Sequence, residues 1–184
     1  MITEPPRIDY ASVFPVGVRA MVGLQRAVDG AGLEPLLLKL VKMRASQING
    51  CAYCLDMHSK DARARGESEQ RLHLLAAWRE ASCYDARERV ALAWCEDLTL
   101  ISTQGAPDAA YEELEQIFSP QEIVGLTLAI VAINGWNRLA ISMRTPVSAH
   151  TSHPTTEKER EPCPLHDAKP RSSGRARSQA EPGR

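Results

Sequence analysis

The sequence predicts an all-α fold, an antiparallel helical bundle, on three observations. Apolar residues recur at helical spacing through most of the first 146 of its 184 residues. Between those runs stand helix punctuation marks: prolines at first-turn positions, Ser or Asp with Glu three residues on, and glycines at stops. No segment alternates with period two for long enough to make a strand, and no fixed-length repeat occurs.

The elements follow in order. Residues 1–9 are polar, carry Pro5-Pro6 and are expected to be a loose lead-in. From Tyr10 the pattern is helical: Val18, Met21, Val22 and Gln25 share a face, and Gly30 and Gly32 end the run. Pro35 suits a first helical position. The stretch Leu36–Gln47 behind it is apolar around most of its circumference, which predicts a helix buried inside the bundle. A helix from about Cys51 to Arg65 stops at Gly66, and Ser68 caps the next, which carries Leu72, Leu75, Ala76 and Trp78. Asp85 and Glu88 open the helix Arg87–Ile101. Gly105-Ala106-Pro107 separates it from a short amphipathic helix, Asp108–Phe118. Ser119-Pro120-Gln121-Glu122 combines a cap, a proline at N1 and a glutamate at N3, and the long helix behind it runs to about Met143. Residues 147–184 hold few large apolar groups and are expected to be a disordered tail, leaving 1–146 as the domain.

The formal net charge of −1 gives no general attraction to nucleic acid or to an anionic membrane. The tail has seven Lys and Arg against five Asp and Glu, too even a balance for a nucleic-acid arm. The N-terminus lacks a basic patch followed by an apolar run, and the longest apolar run, Leu126–Ile133, is interrupted by Thr127 and too short to cross a bilayer. Neither nucleic acid nor membrane is therefore expected as a partner, and the expected location is cytoplasmic. The odd set Cys51, Cys54, Cys83, Cys95 and Cys163 argues against a disulfide framework and for a few buried or reactive thiols.

Chemistry concentrates in Arg44–Arg65, where Cys51, Cys54 and His58 stand at C-x-x-C-x-x-x-H spacing. On a helix these three share one face. Asn49-Gly50 just before them favours a turn, which puts Cys51 near a helix N-terminus. Unpaired N–H groups and the helix dipole there stabilise a thiolate, the nucleophilic form of cysteine. A second thiol one turn away can close a disulfide after the first is oxidised, and the histidine can move the proton. The residues predict a thiol redox site. Zinc is the chemical competitor, but a structural zinc needs a fourth ligand and no second cysteine pair exists.

With these residues, the chain resembles the carboxymuconolactone decarboxylase family on its alkylhydroperoxidase D-like branch. The likeness runs over most of residues 8–147 and is strongest in RASQINGCAYCLDMH, Arg44–His58. Supporting pieces are Gly32-Leu33-Glu34-Pro35, Arg87–Leu100 and NGWNRLAISMRTP, Asn134–Pro146. The resemblance implies an all-α fold of the alkylhydroperoxidase D-like type that associates as trimers or hexamers. It implies a thiol peroxidase, an oxidoreductase with peroxide as acceptor, that needs no cofactor and no metal. By position Cys54 resembles the attacking thiol, Cys51 the resolving thiol and His58 the proton-handling partner. A dithiol reductant, in the characterised relatives a lipoyl-bearing protein, resets the pair. Family decarboxylases of aromatic-catabolism lactones generally lack the two cysteines.

Two positions depart from the family pattern. Lys39 stands where the family usually has a glutamate of the proton relay, and Tyr53 stands where alkylhydroperoxidase D often has a histidine. A charged lysine cannot accept a proton, yet it can favour a nearby thiolate. Lys39 and Tyr53 are thus candidate tuning residues, and weaker or different peroxidase activity is expected. Two other readings remain: a redox-responsive oligomer without turnover, and a lactone decarboxylase-like enzyme.

Outside the motif the expectations are structural. Gln47 and Asn49 are expected to satisfy backbone groups at the turn or to order the site. Trp78, Trp94 and Trp136 are expected in the core or at a subunit interface, and Cys83 and Cys95 as buried small hydrophobes. His73 is expected as a boundary residue on an amphipathic helix, and Asn134, Trp136, Asn137 and Arg138 in packing or assembly.

Overall fold

The computed structural model describes residues 5–147. The expected disordered tail, apart from Val147, lies outside the described residues, and with it Cys163, His150, His153 and His166. Among the described residues every regular element is helical, as the punctuation predicts.

The N-terminal arm is two helices, α1 (Tyr10–Val13) and α2 (Pro15–Asp29), where the periodicity predicts one. Pro15 is the cause. It has no N–H to continue the ladder, and its ring drives the preceding residue out of the helical region. Phe14 accordingly sits at φ −133°, ψ 67°. The lead-in is less loose than expected, because the Arg7 backbone N–H donates to the Met143 carbonyl at 3.0 Å.

The helix α3 (Pro35–Asn49) is the centre of the molecule and packs on α4 (Ala52–Ala64), α6 (Ala86–Thr99) and α9 (Pro120–Ser142). Its near-continuous apolar surface has neighbours on most sides: Leu37, Leu38, Leu40, Val41, Met43 and Ala45 are all buried. Full burial of one such leucine contributes about 1.5–3 kcal/mol. Leu38 and Val41 join Leu126, Ile130 and Ile133 of α9 in the main core. Leu40 and Met43 face a second cluster with Leu72, Leu75, Trp78, Tyr84 and Leu92.

The segment after Ser68 splits into α5 (Glu69–Leu74) and a 3-10 turn, Leu75–Ala77. The expected helix Arg87–Ile101 ends at Thr99, and a separate turn, α7 (Ile101–Gln104), precedes α8 (Asp108–Ile117). Both predicted capping boxes form, Asp85 with Glu88 and Ser119 with Glu122. Arg87 bonds to Glu34 ahead of α3, to the Ile117 carbonyl of α8 and to Glu122 of α9, and lies over the Phe118 ring. Four parts of the chain thus converge on one side chain. By length and composition alone α9 could span a bilayer, at a mean hydropathy of 1.4, although half of that window is buried in the bundle.

Candidate functional site

Two helix ends built at a single turn place the thiols. Gly50 closes α3 in the left-handed region, φ 70°, ψ 32°, and the Cys51 N–H donates back to the Ser46 carbonyl at 3.0 Å. Cys51 is then the N-cap of α4, and its Sγ accepts the Cys54 backbone N–H at 3.3 Å. The same residue therefore finishes one helix through its backbone and starts the next through its sulfur. That sulfur lies where orphan N–H groups and the dipole favour negative charge.

The neighbouring Cys54 thiol is the group that most favours charge on the Cys51 sulfur. Helped by the Cys54 backbone N–H and the Asn137 amide, and opposed by burial, it lowers the Cys51 thiol from 9.0 to about 7. Cys54 moves the opposite way, because it gives its proton to Cys51, is buried and would share a site with an existing charge. The pair therefore gives up one proton readily and shares the one that remains, with the charge favoured on Cys51. Both residues are only 1% exposed.

His58 is buried one turn further along the same face of α4 as Cys54, followed by Ala62. The structure thus brings Cys51 and Cys54 together through the Cys54 N–H and places His58 buried one turn further along α4. Among the described residues no three Cys, His, Asp or Glu side chains cluster as metal ligands. Tyr53 is half-buried against the main core, and its phenol is pushed up by burial, then by Tyr10, Cys54 and Cys51. It therefore packs on the same core cluster as the pair. Lys39 faces α4, where its ammonium meets Asp61 at 2.6 Å.

The site also contains residues outside the motif. Of the two roles expected for Asn49, the turn's backbone or ordering the site, its bonds fit the second. Its Nδ2 donates to Asn134 Oδ1 at 2.9 Å and to Asn137 Oδ1 at 2.8 Å. Asn137 is fully buried and donates to Ser46 Oγ at 3.0 Å, and Ser46 donates to the Lys42 carbonyl at 2.7 Å. Asn134 continues the network to Thr99 at 3.1 Å and accepts from Arg138. Gln47 accepts from Arg44. The sequence signal was two asparagines three residues apart inside the apolar stretch IVAINGWNRLAI, since buried amides require partners. Lys42 was also missed: it is 4% exposed, and its ammonium, lowered by burial, lies 3.5 Å from Asp29. Trp78, Trp94 and Cys95 are buried as expected, Cys83 is only half-buried and His73 is exposed.

Comparison with known proteins agrees with this architecture. The profile of the carboxymuconolactone decarboxylase family matches residues 15–97. The chain is 38% identical over 137 residues to the uncharacterized protein YdfG of Bacillus subtilis (strain 168), covering 74% of this chain and 93% of YdfG. It is 44% identical to a crystal structure from Agrobacterium tumefaciens with a TM-score of 0.76, covering 79% of this chain and 100% of that one. That protein is of unknown function, with a suggested antioxidant-defence role of the AhpD kind. The debrominase Bmp8 shares the fold alone, at 21% identity and a TM-score of 0.66 over 73% of each chain.

Proposed function

The chain belongs to the carboxymuconolactone decarboxylase family, and on that premise we propose that it is a thiol-dependent peroxidase of the alkylhydroperoxidase D-like kind. One observation carries the reading: the Cys51 sulfur caps the N-terminus of α4 by accepting the Cys54 backbone N–H at 3.3 Å, next to a second thiol, and its thiol is lowered to about 7. The suggested antioxidant role of the Agrobacterium relative adds support.

Cys54 attacks the terminal peroxide oxygen while its proton passes to the Cys51 thiolate. The O–O bond breaks, and the leaving alkoxide takes a proton from His58. Cys54 is now a sulfenic acid. The Cys51 sulfur attacks it, its proton passes to His58, and the departing hydroxide leaves as water once it gains a proton from solvent. The sum is dithiol plus peroxide to disulfide, alcohol and water. A small external dithiol, such as a lipoyl group on a partner protein, restores the pair by exchange. Val124, Leu128 and Val131 form an exposed apolar stripe on α9 that supports a homo-oligomer, expected as a trimer or hexamer in the cytoplasm.

The test is peroxide consumption driven by a dihydrolipoyl donor. Wild type should turn over, and Cys54→Ser and Cys51→Ser should each lose turnover. One stoichiometric oxidation without turnover would instead favour a redox-responsive assembly protein, a reading that the burial of both sulfurs also fits. Turnover surviving both variants sinks the thiol mechanism. Bmp8 sits on this fold as a debrominase, so inactivity toward every peroxide would direct attention to other reductive chemistry.

A further inference from the structure

We propose that Asn137 is the side chain that fixes the thiolate, an amide clamped between Asn49 and Ser46 so that its second N–H faces the Cys51–Cys54 sulfurs. This rests on the dithiol reading above and assigns it a residue on α9, far from the motif in sequence.

The orientation of the amide is dictated by its partners. Asn49 presents one NH2 group to two carbonyl oxygens, those of Asn134 and Asn137. Oδ1 of Asn137 must therefore face Asn49, and Nδ2 must face Ser46. Ser46 already gives its hydrogen to the Lys42 carbonyl, so toward Asn137 its oxygen can only accept. A flipped Asn137 would set one NH2 group against another and leave Ser46 facing a second acceptor. An amide nitrogen carries two hydrogens, and Ser46 takes one. The other belongs to a side chain with no exposed surface, and Ser46 anchors that amide at the turn carrying the pair, since the Ser46 carbonyl accepts the Cys51 N–H at 3.0 Å; Asn137 accordingly lowers both thiols. Arg138 donates to Asn134 Oδ1 at the far end, so a positive charge enters the same chain of dipoles.

This arrangement suits the chemistry. The sulfur that carries charge changes during the proposed cycle, first Cys51, then Cys54 as it attacks. The Cys54 backbone N–H bonds the Cys51 sulfur, and a side-chain amide adds a second donor on the other side of the pair's turn. An amide that reaches both sulfurs stabilises whichever is ionised, and rigid anchoring lets it do so without reorganising. Asn137 touches the reacting atoms, whereas Ser46 and Asn49 act through it as positioning residues.

The experiment is the pH midpoint of thiol alkylation by iodoacetamide in the reduced full-length chain, read at Cys51 and Cys54 by peptide mass spectrometry. Asn137→Ala should raise the midpoint by about one unit, which cuts the thiolate fraction at neutral pH about fivefold. Asn137→Asp should raise it further by adding a negative charge. Ser46→Ala, which frees one end of the amide, should give a smaller rise. The titratable groups Tyr53 and His58 of α4, Tyr10 of α1 and Arg138 of α9 are the same in every variant. A purely structural role would lower the thermal midpoint of these proteins and leave the alkylation midpoint where it was. An unchanged alkylation midpoint in folded Asn137→Ala overturns the proposal, and if that variant does not fold, an unchanged midpoint in Ser46→Ala does so. The peroxidase reading fails separately, by a wild type with a low midpoint and no peroxide turnover.

Discussion

Replacing Cys54 with alanine should make Cys51 a more ordinary thiol. The change deletes the S–H donor that contributes most to the lowered Cys51 value, and leaves the backbone N–H at 3.3 Å and the Asn137 amide. A hydrogen bond to a charged group contributes about 1.5–3 kcal/mol, and one pKa unit corresponds to about 1.4 kcal/mol. The Cys51 midpoint should therefore climb from about 7 by about one to two units, toward the ordinary 9.0. At neutral pH the thiolate fraction falls from about half to about a tenth or less. The rate of alkylation falls less, because a more basic thiolate is about threefold more nucleophilic per unit. The midpoint, not the rate at one pH, is thus the diagnostic quantity. The assay is iodoacetamide labelling of reduced protein from about pH 5 to about pH 10, with Cys51 followed by its own peptide. Cys95 will stay silent across that window, since burial pushes it up to about 12. A Cys51 midpoint that does not move in Cys54→Ala would refute the shared-proton description, as would a wild type in which neither motif thiol titrates near neutrality.

Two further predictions concern the scaffold. Gly50→Ala should cost about 1–2 kcal/mol by thermal melting, because φ is 70° there although open space surrounds the added methyl, and Gly50→Asn should cost less. Glu96 is pushed up by burial but held below the usual glutamate range by Trp78, Arg79 and Arg44, so its stabilising charge is fully present above the usual carboxylate pKa and lost as pH falls through the depressed one. Glu96→Gln should then lose about 2 kcal/mol at neutral pH, less than a fully buried pair because Arg44 keeps Gln47, and denaturation curves for the two proteins should converge only in acid.

The sequence carried the site's local half and hid its long-range half, for a physical reason. Periodicity and caps are short-range signals, so α3, α6 and α9 could be placed from the order of Pro35, Asp85, Glu88, Ser119 and Glu122 alone. The contact of Cys54 with Cys51 was legible for the same reason, as spacing and a turn fix it. The misplaced boundaries also follow local rules, at Pro15 above all, where a proline inside a periodic run splits the helix. What spacing cannot supply is a partner 88 residues away, the separation of Asn49 from Asn137. A buried amide announces that it must be satisfied but not by whom.

The tuning role considered for Lys39 shows the same limit. As a charge on the face next to α4, Lys39 could in principle favour a thiolate. In the structure Asp61 holds its ammonium at 2.6 Å. A cation and an anion in contact present little net field to a third group, so what reaches the sulfurs is a small difference rather than a full charge. The groups that do move the Cys51 thiol are the neighbouring thiol, a backbone N–H at 3.3 Å and a neutral amide. Exchanging the family's glutamate for lysine therefore changes the net charge beside the site far more than it changes the thiolate. On the proposed mechanism its consequence should lie in the proton transfers assigned to His58, not in the ionisation of the dithiol.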